Sequence, residues 1–321
     1  MSCHNRWSFI FLVSLAVVVL TPPAIGADPG GKSLAGLVTA RDKFYDVAFV
    51  GEERVWVVGY PGKILHSPDG GKTWKLQNSG VNEALFAVSF VDALHGWIVG
   101  RLGMILRTDN GGDTWQTQDS GIQEPLFDVF FINGNEGWVV GYFGTIIHTQ
   151  DGGKSWERQE IEGDASLNAV SFVGQEGWVA GEFGYLLHTV DGGENWIKQE
   201  SRVETTIFDI AFINSTNGWA AVSKGVILQT GDGGENWEVN ESGREDHLLG
   251  ISFREGEPWL VGMNGTVLRS EGEGYKYHSS GVSWLSGISF SSPEVGIIVG
   301  GEGTILRTED GGVTWKIIEG R

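Results

Sequence analysis

Thr149-Gln150-Asp151-Gly152-Gly153-Lys154-Ser155-Trp156 is the stretch that decides how this chain folds. Its pattern recurs as Ser67 to Trp74, Thr108 to Trp115, Thr189 to Trp196, Thr230 to Trp237 and Thr308 to Trp315, with a worn copy from Ser270 to Tyr277. The closing aromatic falls at 74, 115, 156, 196, 237, 277 and 315, so the copies are 41, 41, 40, 41, 40 and 38 residues apart. Self-similarity at such a period marks a solenoid, propeller or array, whose units bury their apolar faces against their neighbours.

Outward from that stretch, one repeat reads as four short strands. Phe127 to Ile132 alternates with period two and is β-prone, and Asn133 to Gly137 is a turn. Trp138 to Gly141 and Thr145 to Thr149 follow as the second and third strands, with a fourth from Trp156 to Gln159. No segment holds a sustained helical period. Four antiparallel strands in each of seven repeats predict an all-β fold, a seven-bladed β-propeller over residues 44–321. The last strand, Trp315 to Glu319, is expected to complete its blade, so the ring needs no split blade.

The repeated columns have packing roles. Val47, Val88, Val129, Val170, Ile210, Ile251 and Ile288 recur on the first strand, and Phe49, Phe90, Phe131, Phe172, Phe212, Phe253 and Phe290 lie two residues further on. Mostly small residues stand between them, so one blade face carries bulk that can nest against the small face of the next. Trp56, Trp97, Trp138, Trp178, Trp219 and Trp259 form a second-strand column, with Ile297 in the seventh blade. A residue repeated in nearly every blade serves the blade rather than a ligand. In the eight-residue motif the Asp is expected to accept backbone N–H bonds, the glycines to take positive φ and the Trp to cover the turn. The motif lacks the closing carboxylate of a calcium loop, so no metal and no cofactor is expected. His66, His148 and His188 share one column at the end of the third strand, too dispersed around a ring to share a metal.

Residues 1–27 read as a secretory signal: Arg6 precedes the 13-residue apolar run Ser8 to Leu20, and small residues follow up to Ala27. Residues 28–43 form an N-terminal segment in which an edge strand is possible. Cys3, the only cysteine, lies inside the leader, so the exported protein depends on packing rather than disulfides. The formal charge of -19 argues against nucleic acid, whose phosphates demand a basic surface.

Ser/Thr-x-Asp-x-Gly-x-Thr/Ser-Trp is the Asp-box, or bacterial neuraminidase repeat. Seven copies near 40 residues apart, preceded by strands of the Gly-Trp-x-x-Gly and Gly-x-Ile-Leu-x-Thr kind with substitutions in individual blades, resemble the photosystem II stability/assembly factor family over Phe44 to Arg321. The resemblance implies a non-catalytic propeller in the thylakoid lumen or periplasm; the leader equally allows the extracellular space, and a monomer is expected. Its partner would be an envelope or thylakoid membrane protein subunit. The arginine-rich patch of the photosynthetic members has no counterpart here, where Arg101, Arg158, Arg202, Arg244 and Arg254 are dispersed. The alternative is a secreted carbohydrate-active hydrolase or glycan-binding protein of the sialidase-like group. That chemistry needs two carboxylates facing one bond, and no Arg-Ile-Pro opening motif is present.

Function in a propeller sits on loops of one face, held by a rigid frame. The loop after the second strand and the start of the first strand are expected to converge near the axis. Tyr60, Arg101, Tyr142, Phe143, Glu182, Phe183, Lys224, Asn264 and Glu302 vary from blade to blade in that loop. Asp46, Asp128 and Asp209 recur at the start of the first strand. These twelve residues are the candidate partner-binding set, the exposed aromatics being typical of interfaces.

Overall fold

The computed structural model describes residues 34–272 and 274–318. The leader assigned to residues 1–27 lies outside them. The described chain contains no α-helix and forms seven four-stranded antiparallel sheets, each taking its strands in sequence order. In the first blade these are Lys43–Val50, Arg54–Tyr60, Lys63–Ser67 and Lys75–Asn78. The first strands stand side by side around the axis: Lys43–Val50, Leu85–Phe90, Leu126–Phe131, Leu167–Val173, Ile207–Phe212, Leu248–Arg254 and Leu285–Phe290, which returns to Lys43–Val50. The fold is the seven-bladed propeller expected from the repeat, and it closes between complete blades. Three bonds hold the closure: Ser286 Oγ donates to the Phe44 carbonyl at 2.8 Å, Arg307 Nε to Gly70 at 2.6 Å and Gly303 N to Asp42 at 2.8 Å.

Two details of the sequence reading change. The last strand is only Lys316–Ile317, because Trp315 turns in to pack on Phe290 and Trp259. Residues 34–42 contain turns and no strand before Lys43. Leu34 and Val38 are instead buried with Phe44, Val299 and Ile305, over the junction of the last blade with the first. The edge strand considered there therefore does not form among the described residues.

Blades adhere through a repeated aromatic stack. Each of the first four second-strand tryptophans lies flat on the first-strand Phe of the next blade: Trp56 on Phe90 at 3.8 Å, Trp97 on Phe131 at 3.6 Å, Trp138 on Phe172 at 3.8 Å and Trp178 on Phe212 at 3.5 Å. The opposite ring face is covered by the third-strand column: His66, His148 and His188 stack at 4.6, 4.6 and 5.0 Å, and the Arg107 guanidinium sits 5.9 Å from the Trp97 ring. The histidines are thus half-buried ring partners rather than simple polar strand ends, and burial pushes His66 down to about 4. Each indole N–H reaches the next blade's Asp-box, Trp56 donating to Gly111 and Trp97, Trp138 and Trp178 to Gly152, Gly192 and Gly233. The Asp-box is therefore both a hairpin turn and a docking point for its neighbour.

Inside the box the bonds follow the sequence reading. Asp151 Oδ1 accepts from Ser155 N at 2.9 Å and Oδ2 from Ser155 Oγ at 2.7 Å, while Thr149 Oγ accepts from Gly153 N. In the second blade Asn110 Oδ1 accepts from Thr114 N in the same way, while its Nδ2 donates to Thr114 Oγ1. The turn works with a neutral amide, so it needs an acceptor rather than a charge.

Candidate functional site

The first strand of every blade begins with a β-bulge, a register shift at Phe44/Asp46, Leu85/Ala87, Leu126/Asp128, Leu167/Ala169, Ile207/Asp209, Leu248/Gly250 and Leu285/Gly287. A bulge re-aims side chains, and here the adjacent residues Tyr45, Phe86 and Phe127 meet from blade to blade. Tyr45 lies edge-on to Phe86 at 5.4 Å, Phe86 is 5.9 Å from Phe127, and Tyr45 stacks on Trp284 at 6.1 Å. The sequence reading missed this inner arc. Its signal was the adjacent apolar pair Leu85-Phe86 or Leu126-Phe127, which breaks strict period-two alternation.

Outside it lie the loops between second and third strands, on the same side as the start of the first strand. Tyr142 N, Glu182 N and Ser223 N donate to the carbonyls of Pro125, Ser166 and Thr206, just ahead of their own first strands. The following glycine then bonds the linker into the next blade: Gly62 to Glu83, Gly144 to Ala165, Gly184 to Thr205 and Gly303 to Asp42. The approach is close enough that a Cβ on Gly184 would stand 1.9 Å from the Val203 carbonyl oxygen. The residue before that glycine is forced into the left-handed region, with φ of 61° at Leu102, 52° at Phe143, 59° at Phe183 and Lys224, 54° at Asn264 and 56° at Glu302.

The structure therefore brings the loop candidates together on one face, and divides them. Tyr60, Leu102, Phe143 and Phe183 are 44, 58, 53 and 62% exposed, an apolar arc on four successive blades. Tyr142 packs against Phe143 at 4.2 Å. Leu102 was absent from the candidate set, where Arg101 stood for its blade; Arg101 lies 3.7 Å from Glu83. In the remaining blades the equivalent positions are polar and tethered. Lys224 N bonds His247 Nδ1, Asn264 Nδ2 bonds Asp246 at 2.6 Å, and Glu302 accepts from Ser283 Oγ.

Asp46, Asp128 and Asp209 are set apart from that surface. One oxygen of each accepts from the next residue of its own strand, and the other reaches into the neighbouring blade: Asp46 to Val88 N at 2.9 Å, Asp128 to Val170 N and Asp209 to Ile251 N at 2.8 Å. They stitch alternate blade junctions along the axis, an internal role that the sequence column does not reveal. Enclosure by the inner strands raises Asp128 to about 7, assisted by the charge of Asp46. Asp209 is raised well above the usual carboxylate value by the same burial, with Asp128 and Asp46 adding to it, and Asp46 is raised by burial against its two N–H bonds. Tyr45 is pushed up to about 12 by burial, with the nearby Tyr60 adding to it.

Among the described residues no cluster of His, Cys, Asp and Glu could hold a metal ion, and no helix is long and apolar enough to cross a membrane.

Comparison with solved structures finds the same fold in distant chains. A structure of YCF48 bound to D1 peptide superposes with a TM-score of 0.71 at 23% identity, covering 92% of this chain and 99% of that one. YCF48 from Cyanidioschyzon merolae gives 0.71 at 20% identity, covering 86% and 97%. The WD40 propeller domain of Doa1 gives 0.71 at 16% identity, covering 83% and 92%, so this likeness establishes architecture alone. No curated protein sequence matches the chain. The model of the photosynthesis system II assembly factor YCF48 family matches residues 34–125, 75–161, 114–203 and 197–283. With most of its length matched by that family model, this chain belongs to the YCF48 assembly-factor family.

Proposed function

We propose that the protein is an exported, non-catalytic propeller scaffold that binds a membrane protein subunit and assists the assembly or stability of its complex, photosystem II by family. The observation that carries this reading is the exposed apolar arc Tyr60, Leu102, Phe143 and Phe183 on one rigid face. Apolar side chains gathered on one surface mark interaction sites. That a relative has been solved with a D1 peptide bound supports a peptide of a membrane subunit as the partner. The leader read at residues 1–27 supports export to the periplasm, thylakoid lumen or extracellular space, and on this reading the protein acts as a monomer without cofactor, metal or nucleic acid. The hydrolase alternative is disfavoured because Asp128 and Asp209, its best axial carboxylates, each hold two backbone N–H groups.

The test is affinity capture from the native membrane fraction with the protein as bait. A membrane subunit should be retained, and lost when Tyr142 and Phe143 are both changed to Ala. Turnover of aryl glycosides, abolished by Asp128→Ala, with no retained subunit would overturn the proposal.

A further inference from the structure

Apolar side chains at Leu102, Phe143 and Phe183 have a conformational cost. A bulky residue in the left-handed region is strained by roughly 1–2 kcal/mol, whereas the Asn at the equivalent position of the sixth blade is well suited to it. Three consecutive blades nevertheless place a large apolar group there and turn it outward, at 58, 53 and 62% exposure. Burial in the blade does not explain them, since the same loop closes equally well on Lys224, Asn264 and Glu302. Strain retained in this way points to a surface that is used.

Charge around the arc is one-sided. The linkers running beside it carry exposed Glu124, Glu162, Asp164 and Glu204 and the half-exposed Glu83. Against these stand Arg101, already beside Glu83, Arg202, and Lys198, whose ammonium lies 4.8 Å over the Tyr185 ring next to the Glu162 linker. Lys63 is committed to buried Asp42 at 2.8 Å. An acidic segment would meet repulsion along the whole path, while lysines or arginines flanking an apolar core would meet carboxylates and aromatic faces.

We infer that the apolar arc of the first four blades, bordered by the acidic linkers, docks a peptide segment whose apolar side chains are flanked by lysine or arginine. This rests on the scaffold reading and specifies the chemistry of its partner. The apolar side chains cover Leu102, Phe143 and Phe183, beside the groove formed by Met104, Thr117 and Ile122, and the flanking cations lie over the linkers.

The experiment uses the full exported chain and fluorescent synthetic peptides with one Leu/Phe core, flanked by lysines in one series and by glutamates in the other. Binding is read by anisotropy at low and high salt. The lysine series should bind at least about tenfold tighter than the glutamate series, with the difference shrinking in high salt. Phe143→Ala with Phe183→Ala should weaken the lysine series by about tenfold or more. That variant leaves net charge unchanged, so unspecific attraction to an acidic protein would survive it. Glu124→Lys with Glu204→Lys should reverse part of the preference, and Val313→Ala, at an exposed side chain of the last blade's Asp-box, should change nothing. Equal binding of the two series, binding indifferent to the Phe substitutions, or no binding by either series would overturn the inference. So would binding only to phosphatidylcholine vesicles, which would make the arc a lipid contact. Retention of a membrane subunit in the capture experiment with equal peptide binding would remove the charge assignment and leave the scaffold; loss of both would remove the scaffold.

Discussion

Blades one to four and blades five to seven are built from the same repeat but differ at their junctions and on the face that carries the loops between second and third strands. In the first group each Trp lies flat on the next Phe at 3.5–3.8 Å and donates its indole N–H to a glycine carbonyl. In the second, Trp219 meets Phe253 edge-on at 5.3 Å and Trp259 is tilted against Phe290 at 5.4 Å, and neither has that glycine bond among the described residues. The worn Asp-box explains the first of these. Glu271-Gly-Glu-Gly has no double-glycine turn to receive Trp219, whose indole turns to the Tyr275 hydroxyl. That blade closes instead with a longer hairpin, Thr266–Glu271 paired with Gly274–Ser279. The regular half of the ring is also the half that carries exposed apolar residues at strained positions. A stiff frame can hold strain at its surface.

The largest effect should separate the two kinds of junction. Trp138→Ala removes a fully buried ring, two stacking partners and a bond to Gly192, and should cost about 3–5 kcal/mol. Trp219→Ala, at a looser junction, should cost about 1–2 kcal/mol less; chemical denaturation measures both. Equal losses would break the distinction.

Protonation should act in opposite directions at the axis and at the stacks. Asp128 has a folded value of about 7, above its unfolded ~3.9. The folded state holds the extra proton, so this contribution is full below pH ~4 and declines as pH rises towards 7. His66, at about 4 when folded against ~6.5 unfolded, contributes fully above pH ~6.5 and loses that contribution as pH falls towards 4. Melting temperature followed from pH 4 to 8 should show Asp128→Asn removing part of the decline and His66→Gln removing part of the rise. Parallel profiles for both variants would refute the assignment.

A smaller effect sharpens the contrast on the face. Phe143→Asn should stabilise the fold by about 0.5–1 kcal/mol by relieving the left-handed strain, while weakening partner capture. The reverse change, Asn264→Phe, should destabilise by a similar amount. The smallest effect belongs to the box: Asp151→Asn should fall within about 0.5 kcal/mol of neutral, because Asn110 already accepts the equivalent backbone N–H through Oδ1 and meets the Thr114 hydroxyl by donating from Nδ2. A larger loss would mean that the charge itself matters to the turn.

The fold was legible because period and pattern are local properties. Asp-Gly-Gly turns, first strands alternating in period two and a Trp every 40 or so residues leave one closed architecture in which each repeat covers the next. The loop candidates were legible for a related reason: Tyr60, Tyr142, Phe143 and Phe183 vary against a constant frame. Other features were settled only by the ring. Asp46, Asp128 and Asp209 stand at variable positions like the loop residues, yet the neighbouring strand's N–H lies 42 residues away in sequence, and only closure brings it to the second carboxylate oxygen. Trp284 reaches Tyr45 for the same reason, across the point where the last blade meets the first. Sequence determines what each blade is, since its hairpins are short-range; which side chains face each other across blades depends on the radius and order of the ring, and only the tertiary structure decides that.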